Sequence, residues 1–526
     1  MGTFLVSLLE HYQITLDDLR SRKLPGSFHN LKTPFGDERF EKVVSRLEKA
    51  IRDQEKTVIY GDYDVDGLTS TAILKRALSE RGLNPGYFIP SRYREGYGIC
   101  KSRVEDFKEK GYSLIVTVDN GITCSEAIQK AKELGMEVII IDHHELSQEL
   151  PDTKYIFHQK LTPFIDYNCS AASLCFFVAS KLLKRFDCYL ATLSGIAVFS
   201  DVMPMTGNNL ELAKIALSSL KKHLYPNLIS LIGPNHSEIT YDDFNFKIIP
   251  SLNSVGRIEK DVMATNHACA LLMDKDNLPS VLKLSDFVLR TNDERKKIVK
   301  AMRVEEKEKF ESTHSFCSMV KGPSGLCGLF ANRLLREKNK GILIFAEDEK
   351  DTNMFTGSIR VPSGYDMVSF LNKNRKYFVT CGGHPQACGV TIRKQDYFQV
   401  ALLFSTEIEK QALLLPKEKD ESIEISFEDL NQENFDILND FLPFGEGFPS
   451  PQFKITVSKT SLVIADSKKA TFVFDRAHSR KITFFGVPES IHGNAEGEIT
   501  FVGEFKKEVF NGKTSYVLLA SKSFSS

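Results

Sequence analysis

Between residues 57 and 145 the chain alternates short apolar runs with amphipathic segments, and this alternation restricts its fold more than any other feature. The runs Thr57–Tyr60, Tyr87–Pro90, Leu114–Val118 and Glu137–Ile141 are continuous and rich in β-branched or aromatic residues. Stretches near 68–80, 102–110 and 123–135 carry apolar residues at helical spacing between them. A strand that reads as an unbroken apolar run is buried on both faces, as in a parallel sheet covered by helices. The expected fold class is therefore α/β with a parallel sheet, followed by helices at Ser170–Arg185 and Tyr189–Ser200.

Around that lobe the texture changes. Residues 1–50 read as a short-helical segment punctuated by Pro25-Gly26 and Pro34-Phe35-Gly36, and 51–279 as the parallel-sheet lobe. Dense charge with apolar residues at helical spacing (Leu284, Phe287, Ile298, Met302, Phe310) predicts a long helix over 280–311, joining a second α/β lobe at 312–415. Residues 416–526, after the charged break Pro416-Lys417-Glu418-Lys419-Asp420, are strand-rich. Runs at Gln452–Ile464, Ala470–Phe474, Lys481–Val487, Glu498–Phe505 and Ser515–Ala520, with a hairpin turn at Asn511-Gly512, predict a small antiparallel β-barrel.

Composition narrows the function classes only by exclusion. With 68 basic and 69 acidic residues the net charge is −1, so a nucleic-acid surface has to be a local basic patch balanced by acid elsewhere. The ten cysteines include no C-x-x-C pair and sit mostly in apolar stretches, as buried free thiols do. The start of the chain lacks a basic n-region and a cleavage site, and no apolar run reaches the roughly 18 residues of a membrane span. A soluble, cytoplasmic protein without a membrane partner is expected.

Chemistry concentrates at the ends of the apolar runs. Tyr60-Gly61-Asp62-Tyr63-Asp64-Val65-Asp66-Gly67 follows the first strand directly and sets three alternate aspartates where open α/β sheets bind ligands. Crowded carboxylates repel one another, so such a loop points to a cation. A calcium-binding helix–loop–helix is excluded, because position 12 from Asp62 is Ile73 and a strand precedes the loop. Two further strands end in Asp119-Asn120-Gly121 and Asp142-His143-His144, and Ser200-Asp201 closes an apolar helix. A lone Asp after a strand is ordinarily a helix cap; three acidic strand ends, one with tandem His, are a ligand set. Carboxylates plus imidazole without thiolate suit Mn²⁺ or Mg²⁺, and imidazole favours Mn²⁺. Two such ions could serve an in-line phosphoryl displacement.

These four motifs, in this order, resemble the DHH phosphoesterase superfamily. Further segments narrow the resemblance to the RecJ single-stranded DNA exonucleases: Pro90-Ser91-Arg92-Tyr93-Arg94-Glu95-Gly96-Tyr97-Gly98, Pro250-Ser251-Leu252-Asn253-Ser254-Val255-Gly256-Arg257, Gly357-Ser358-Ile359-Arg360, Gly382-Gly383-His384-Pro385-Gln386-Ala387-Cys388-Gly389 and Pro443-Phe444-Gly445-Glu446-Gly447-Phe448-Pro449-Ser450-Pro451. The resemblance implies a DHH lobe, a DHHA1 lobe and an OB-type barrel. It implies metal ligation by Asp64, Asp66, Asp119, His143 and Asp201, with Asp62 and Asp142 as ligands or as carboxylates that orient them. His144, Asn253 and Arg257 would meet the scissile or neighbouring phosphates, and Ser358, Arg360, Gly383 and His384 would line the cleft from the second lobe. Arg92 and Arg94 are further nucleic-acid candidates.

The activity implied is 5′→3′ digestion of single-stranded DNA to mononucleotides in repair and recombination, by a monomer, with a helicase and a single-strand-binding protein as partners. The rival reading is a DHH phosphodiesterase of short oligoribonucleotides or cyclic dinucleotides, which needs no barrel. Three departures from the family pattern stand out: Ser251 in place of Arg, Phe448 in place of Asn, and no Trp-His pair before Gly325.

Overall fold

The apolar runs of the first lobe all form strands, and they pair in parallel. Strands β1 (Thr57–Tyr60), β2 (Gly86–Phe88), β3 (Leu114–Val118) and β4 (Glu137–Asp142) are joined by an unanticipated fifth, β5 (Tyr155–His158), in the order β2-β1-β3-β4-β5. Helices α1 (Thr3–Tyr12), α2 (Leu16–Lys23) and α3 (Glu38–Arg52) precede the sheet. Its crossovers are α4 (Val65–Glu80), α5 (Lys101–Glu109) and α6 (Ser125–Glu133), and α7 (Ala171–Leu183) and α8 (Cys188–Ser200) follow. The computed structural model describes residues 2–93, 96–162, 168–233, 238–259, 262–305, 309–415, 421–458, 470–474, 479–485, 497–510 and 513–525.

Every residue of β1 and β3 is buried, as unbroken apolar runs require. The chain steps from β1 to β2 on one side and returns to β3 on the other, which opens a crevice between the carboxyl ends of β1 and β3. The acidic motifs lie on those ends.

Two compact units make up the molecule. One contains Ser27–Met203 and Gly207–Lys417, the other Met1–Gly26, Pro204–Thr206 and Glu418–Ser526. In the first unit the helix after the sheet lobe is Leu278–Ala301 and stops short of the expected end at Glu311. Met302 turns into extended backbone with its side chain buried, and Arg303–Val304 pairs with the next lobe, so the apolar spacing past 301 reflects strand burial and not a helix face. The lobe that follows holds β6 (Arg303–Val304), β7 (Phe310–Glu311), β8 (Ser315–Lys321), β9 (Gly341–Glu347), β10 (Met354–Arg360), β11 (Phe378–His384) and β12 (Ala387–Arg393), in the order β11-β12-β10-β9-β8-β6 with β7 on β8.

The second unit carries β13 (Ile423–Glu424), β14 (Phe453–Ser458), β15 (Ala470–Phe474), β16 (Arg480–Phe485), β17 (Glu498–Phe510) and β18 (Lys513–Ser525), in the order β13-β14-β17-β18-β16-β15. The sheet is mixed and not wholly antiparallel, because β13 pairs with β14 and β16 with β18 in parallel. Asn511-Gly512 lies outside the described residues, but Phe510 pairs with Lys513 across it. Phe505 is buried in the core of this unit and Phe484 packs against that core, partly buried. Among the described residues no helix is long and apolar enough to cross a membrane. The cysteines are free, six of them buried, with Cys188 exposed.

Helices α1 and α2 belong to the barrel unit. Phe4 stacks on Phe453 with ring centroids 5.6 Å apart, and Leu8 and Leu19 join the barrel core. This docking explains the departure at Phe448. Its ring stacks on Tyr12 at 4.1 Å, and the Arg22 guanidinium lies 3.7 Å from its centroid. Arg22 Nε donates to the Phe441 carbonyl at 2.7 Å and Nη2 donates to that of Pro443. Charged donors on carbonyls and a cation over a ring are together worth about 2–3 kcal/mol. Arg22→Ala should therefore cost about that much in urea unfolding of the barrel unit; an unchanged midpoint would show that the Arg22 contacts contribute nothing.

Candidate metal centre

Three adjacent strands deliver their terminal residues to one place. The turn after β1 carries Asp62, Asp64 and Asp66 into the first turn of α4, where Asp64 caps the helix by accepting from Gly67 N–H at 3.2 Å. Gly67 is obligatory here: a Cβ would stand about 2.5 Å from the Asp62 backbone. Asp119, one residue past β3, has φ +61°, a left-handed conformation that Asp tolerates better than most side chains. Its N–H donates to Ile141 O at 3.0 Å, and Asn120 Nδ2 donates to Val118 O and Tyr60 O, tying the ends of β1, β3 and β4 together.

The ligand-capable atoms form overlapping groups. In one, Asp66, Asp119, His143 and Asp201 offer atoms all within 4.8 Å of one another; in another, Asp62, Asp64 and Asp119 do. Asp119 belongs to both. A third group joins Asp119 and His143 to His144. His143 Nε2 stands 3.2 Å from Asp119 Oδ1, 3.2 Å from Asp201 Oδ2 and 3.5 Å from Asp66 Oδ2. Asp66 is held from behind: Ala171 and Ala172, the first amides of α7, donate to its two oxygens at 2.7 and 2.8 Å.

Electrostatics show the same crowding. Burial, together with the neighbouring Asp64, raises the pKa of Asp62 well above the usual carboxylate range. Burial and Asp201 do the same to Asp66, and burial and Asp66 to Asp119. Burial disfavours charge on His143, but Asp119 and Asp201 outweigh it and raise its pKa well above the ordinary value. Three buried atoms, Asp62 Oδ1, Asp119 Oδ1 and His143 Nε2, have no hydrogen-bond partner. Orphaned carboxylate oxygens beside an orphaned imidazole nitrogen fit a divalent cation.

Asp142 has a different task. Burial would raise its pKa, yet hydrogen bonds from His144 and the Ile122 N–H overcome this and hold it well below the usual range. Its Oδ1 meets His144 Nδ1 at 2.8 Å and accepts from His143 N–H at 2.7 Å, and its Oδ2 accepts from Ile122 N–H at 3.0 Å. Asp142 thus orients the histidines. His144 is half-exposed, with the ring of Tyr97 at 5.2 Å. Sequence reasoning misses Tyr97 as a wall of the site, since Gly96-Tyr97-Gly98 lies more than forty residues before His144 in the chain.

Beyond the carboxylates lies a tract of arginines. Arg92 packs over the Tyr63 ring at 4.3 Å, and its Nε is buried without a hydrogen bond. Loss of hydration, with Arg92 and Arg360 nearby, pushes the Arg257 pKa down to about 9. Arg360 Nη1 donates to Ser358 Oγ at 2.6 Å, and Ser358 Oγ donates to Cys388 O at 3.1 Å. Among the described residues no carboxylate lies within ion-pair distance of Arg92, Arg257 or Arg360. Asn253 Oδ1 accepts from Val65 N–H at 3.0 Å, so this residue also braces the acidic turn. His384 ends β11, which is largely exposed with Gly383, within electrostatic reach of Glu145. Arg94 lies outside the described residues.

The departure at Ser251 is absorbed locally. Asn292 Nδ2 donates to Ser251 Oγ at 3.0 Å, and Arg295 Nε donates to Asn292 Oδ1 at 3.0 Å. Arg295 adds a guanidinium beside Arg257 that the motifs did not point to.

Three family models match the chain in order: the DHH family N-terminal domain over residues 56–196, the DHHA1 domain over 317–411 and the RecJ OB domain over 422–522. The single-stranded-DNA-specific exonuclease RecJ of Bacillus subtilis is 31% identical over 433 residues, which is 80% of this chain and 54% of that protein. This chain thus spans about half the length of that relative. The RecJ of Haemophilus influenzae is 26% identical over 451 residues, 78% of this chain and 77% of the relative. The crystal structure of Thermus thermophilus RecJ in complex with Mn²⁺ has the same fold, with a TM-score of 0.78 and 21% identity over 100% of this chain and 76% of that one.

The raised carboxylates make a sign prediction. Between the ordinary Asp pKa of 3.8 and the raised folded values, the folded metal-free protein binds more protons than the unfolded chain, so their contribution to stability falls as pH rises. A cation replaces those protons, so Mn²⁺ should raise Tm more at about pH 8 than at about pH 5.5. Equal increments would contradict the assignment.

Proposed function

The chain belongs to the RecJ family of DHH phosphoesterases, and from that membership we propose that it is a divalent-cation-dependent exonuclease of single-stranded DNA. It would act from the 5′ end, release mononucleotides and serve DNA repair and recombination. The observation that carries the reading is Asp119, a buried carboxylate common to all three ligand-capable groups, next to arginines that have no carboxylate within ion-pair distance among the described residues.

One cation would be held by Asp66, Asp119, His143 and Asp201, and a second by Asp62, Asp64 and Asp119; Mn²⁺ suits the imidazole, and Mg²⁺ is the alternative. Bound there, divalent cations supply Lewis acidity to the scissile phosphate and lower the pKa of an attacking water. The side chains do the rest. Arg257 and Arg360 meet phosphate oxygens with planar, bidentate donors, and Arg92 is held in place by Tyr63. With Nδ1 engaged by Asp142, His144 keeps Nε2 for a phosphate or leaving oxygen. Asn253 fixes the acidic turn and offers its Nδ2 donors to the backbone of the substrate.

The RecJ-type OB domain favours a polymer over a dinucleotide, since such barrels track single strands. A nuclease confined to unpaired strands requires another activity to supply them, so a helicase and a single-strand-binding protein are the partner classes implied, with the chain itself acting as a monomer.

DNA labelled at either end, incubated with Mn²⁺, tests the reading. Immediate release of a 5′-labelled mononucleotide with delayed loss of the 3′ label is expected, and Asp119→Ala should abolish both. Arg257→Ala should slow the reaction about 10²-fold, the cost of removing one preorganised donor from a developing charge. Survival of long DNA while dinucleotides are cut would move the substrate to the rival class.

A further inference from the structure

The β4–β5 ladder ends at the pair Asp142 and His158, one residue before the first metal-centre histidine. Past that point the backbone carbonyls of His143 and His144 need partners other than a strand, because a buried carbonyl left unpaired is costly. Two side chains from the end of β5 supply them. His158 Nε2 meets His144 O at 2.8 Å while its Nδ1 accepts from Lys160 N–H, so Nε2 is the protonated nitrogen. Gln159 Nε2 donates to His143 O at 3.0 Å.

Gln159 makes a second contact that His158 does not. Its Oε1 accepts from Cys169 N–H at 2.6 Å. Cys169 begins the turn into α7, and the amides of Ala171 and Ala172 in that turn clamp both oxygens of Asp66. A single buried carboxamide therefore joins the backbone of His143 to the segment that holds Asp66, whose Oδ2 stands 3.5 Å from His143 Nε2. Donor and acceptor are both committed, one to each side.

We infer that Gln159 is a positioning residue of the metal centre, whose amide sets the separation of His143 and Asp66 so that both meet one divalent cation. The inference rests on the cation reading of the site and not on the nuclease reading. Both hydrogen bonds of the Gln159 amide go to backbone groups, so it acts on the ligands through the backbone. Removing either half of the amide lets the two ligands drift independently, which lowers cation affinity while the sheet and α7 keep their own hydrogen bonds.

Two variants separate positioning from bulk stability. Gln159→Met keeps the volume and loses both hydrogen bonds. Gln159→Glu keeps the acceptor for Cys169 N–H and sets an oxygen against the His143 carbonyl. Mn²⁺ binding is measured by calorimetry on the full chain well below Tm, beside thermal unfolding of the metal-free protein. Outer partners of metal ligands are typically worth about 10–100-fold in affinity, so Kd for Mn²⁺ should rise by about tenfold or more in each folded variant. At saturating Mn²⁺ the DNA-degrading activity of the variants should recover.

A folded variant of either kind with Kd within about twofold of the wild type overturns the inference, whatever its Tm. If Gln159→Met does not fold, Gln159→Glu decides. Wild-type protein that binds Mn²⁺ but leaves DNA intact would refute the nuclease reading and leave Gln159 standing. Wild-type protein that binds no Mn²⁺ would remove the cation reading and Gln159 with it.

Discussion

Carboxylates packed within 4.8 Å of one another in a buried place are the constraint on which the rest of this structure depends. At an effective dielectric of about 20, each such pair repels by about 3.5 kcal/mol when ionised. A few pairs would consume the roughly 5–15 kcal/mol that holds a typical domain together. One imidazole, His143, does not offset this. The scaffold answers with fixed donors behind the site: the first amides of α7 on Asp66, Ile122 and the histidine amides on Asp142, Gly67 on Asp64. These donors hold Asp64, Asp66 and Asp142 in place, while Asp62 Oδ1 and Asp119 Oδ1 stay without a hydrogen bond. Protons or cations must supply what remains.

The separation of charge follows from the same geometry. The acidic ends of β1, β3 and β4 converge from three adjacent strands, and the arginines come from outside those three: Arg92 after the edge strand β2 of the same sheet, Arg257 from the helix Ile249–Ile258, Arg360 from β10. A phosphodiester bridging the two regions would bring its own negative charge to the guanidiniums and its scissile phosphorus to the cations. The near-zero net charge of the chain hides this local polarity.

Much of the candidate site was legible because acidic strand ends interrupt apolar runs, so Asp62, Asp119 and Asp142-His143-His144 stand out by type and position. What failed to show was long-range or carried by backbone. β5 is a four-residue run, and nothing in His158-Gln159 announces that both side chains replace a missing strand. The docking of α1 and α2 onto the barrel unit joins residues more than four hundred positions apart, as Tyr12 and Pro449 do, and no local pattern encodes it. Helical spacing overruns the true end of the helix Leu278–Ala301 because Met302, buried beyond it, and Phe310, in β7, fall on that spacing by accident.

The stoichiometry of Mn²⁺ binding, measured by calorimetry with electron paramagnetic resonance on wild type, Asp64→Asn and Asp119→Asn, tests the shared carboxylate most directly. A site bridged by Asp119 predicts two spin-coupled ions per wild-type chain, one in Asp64→Asn, and loss of both in Asp119→Asn. A single uncoupled ion in the wild type, or an Asp119→Asn protein that keeps one ion at undiminished affinity, would contradict it.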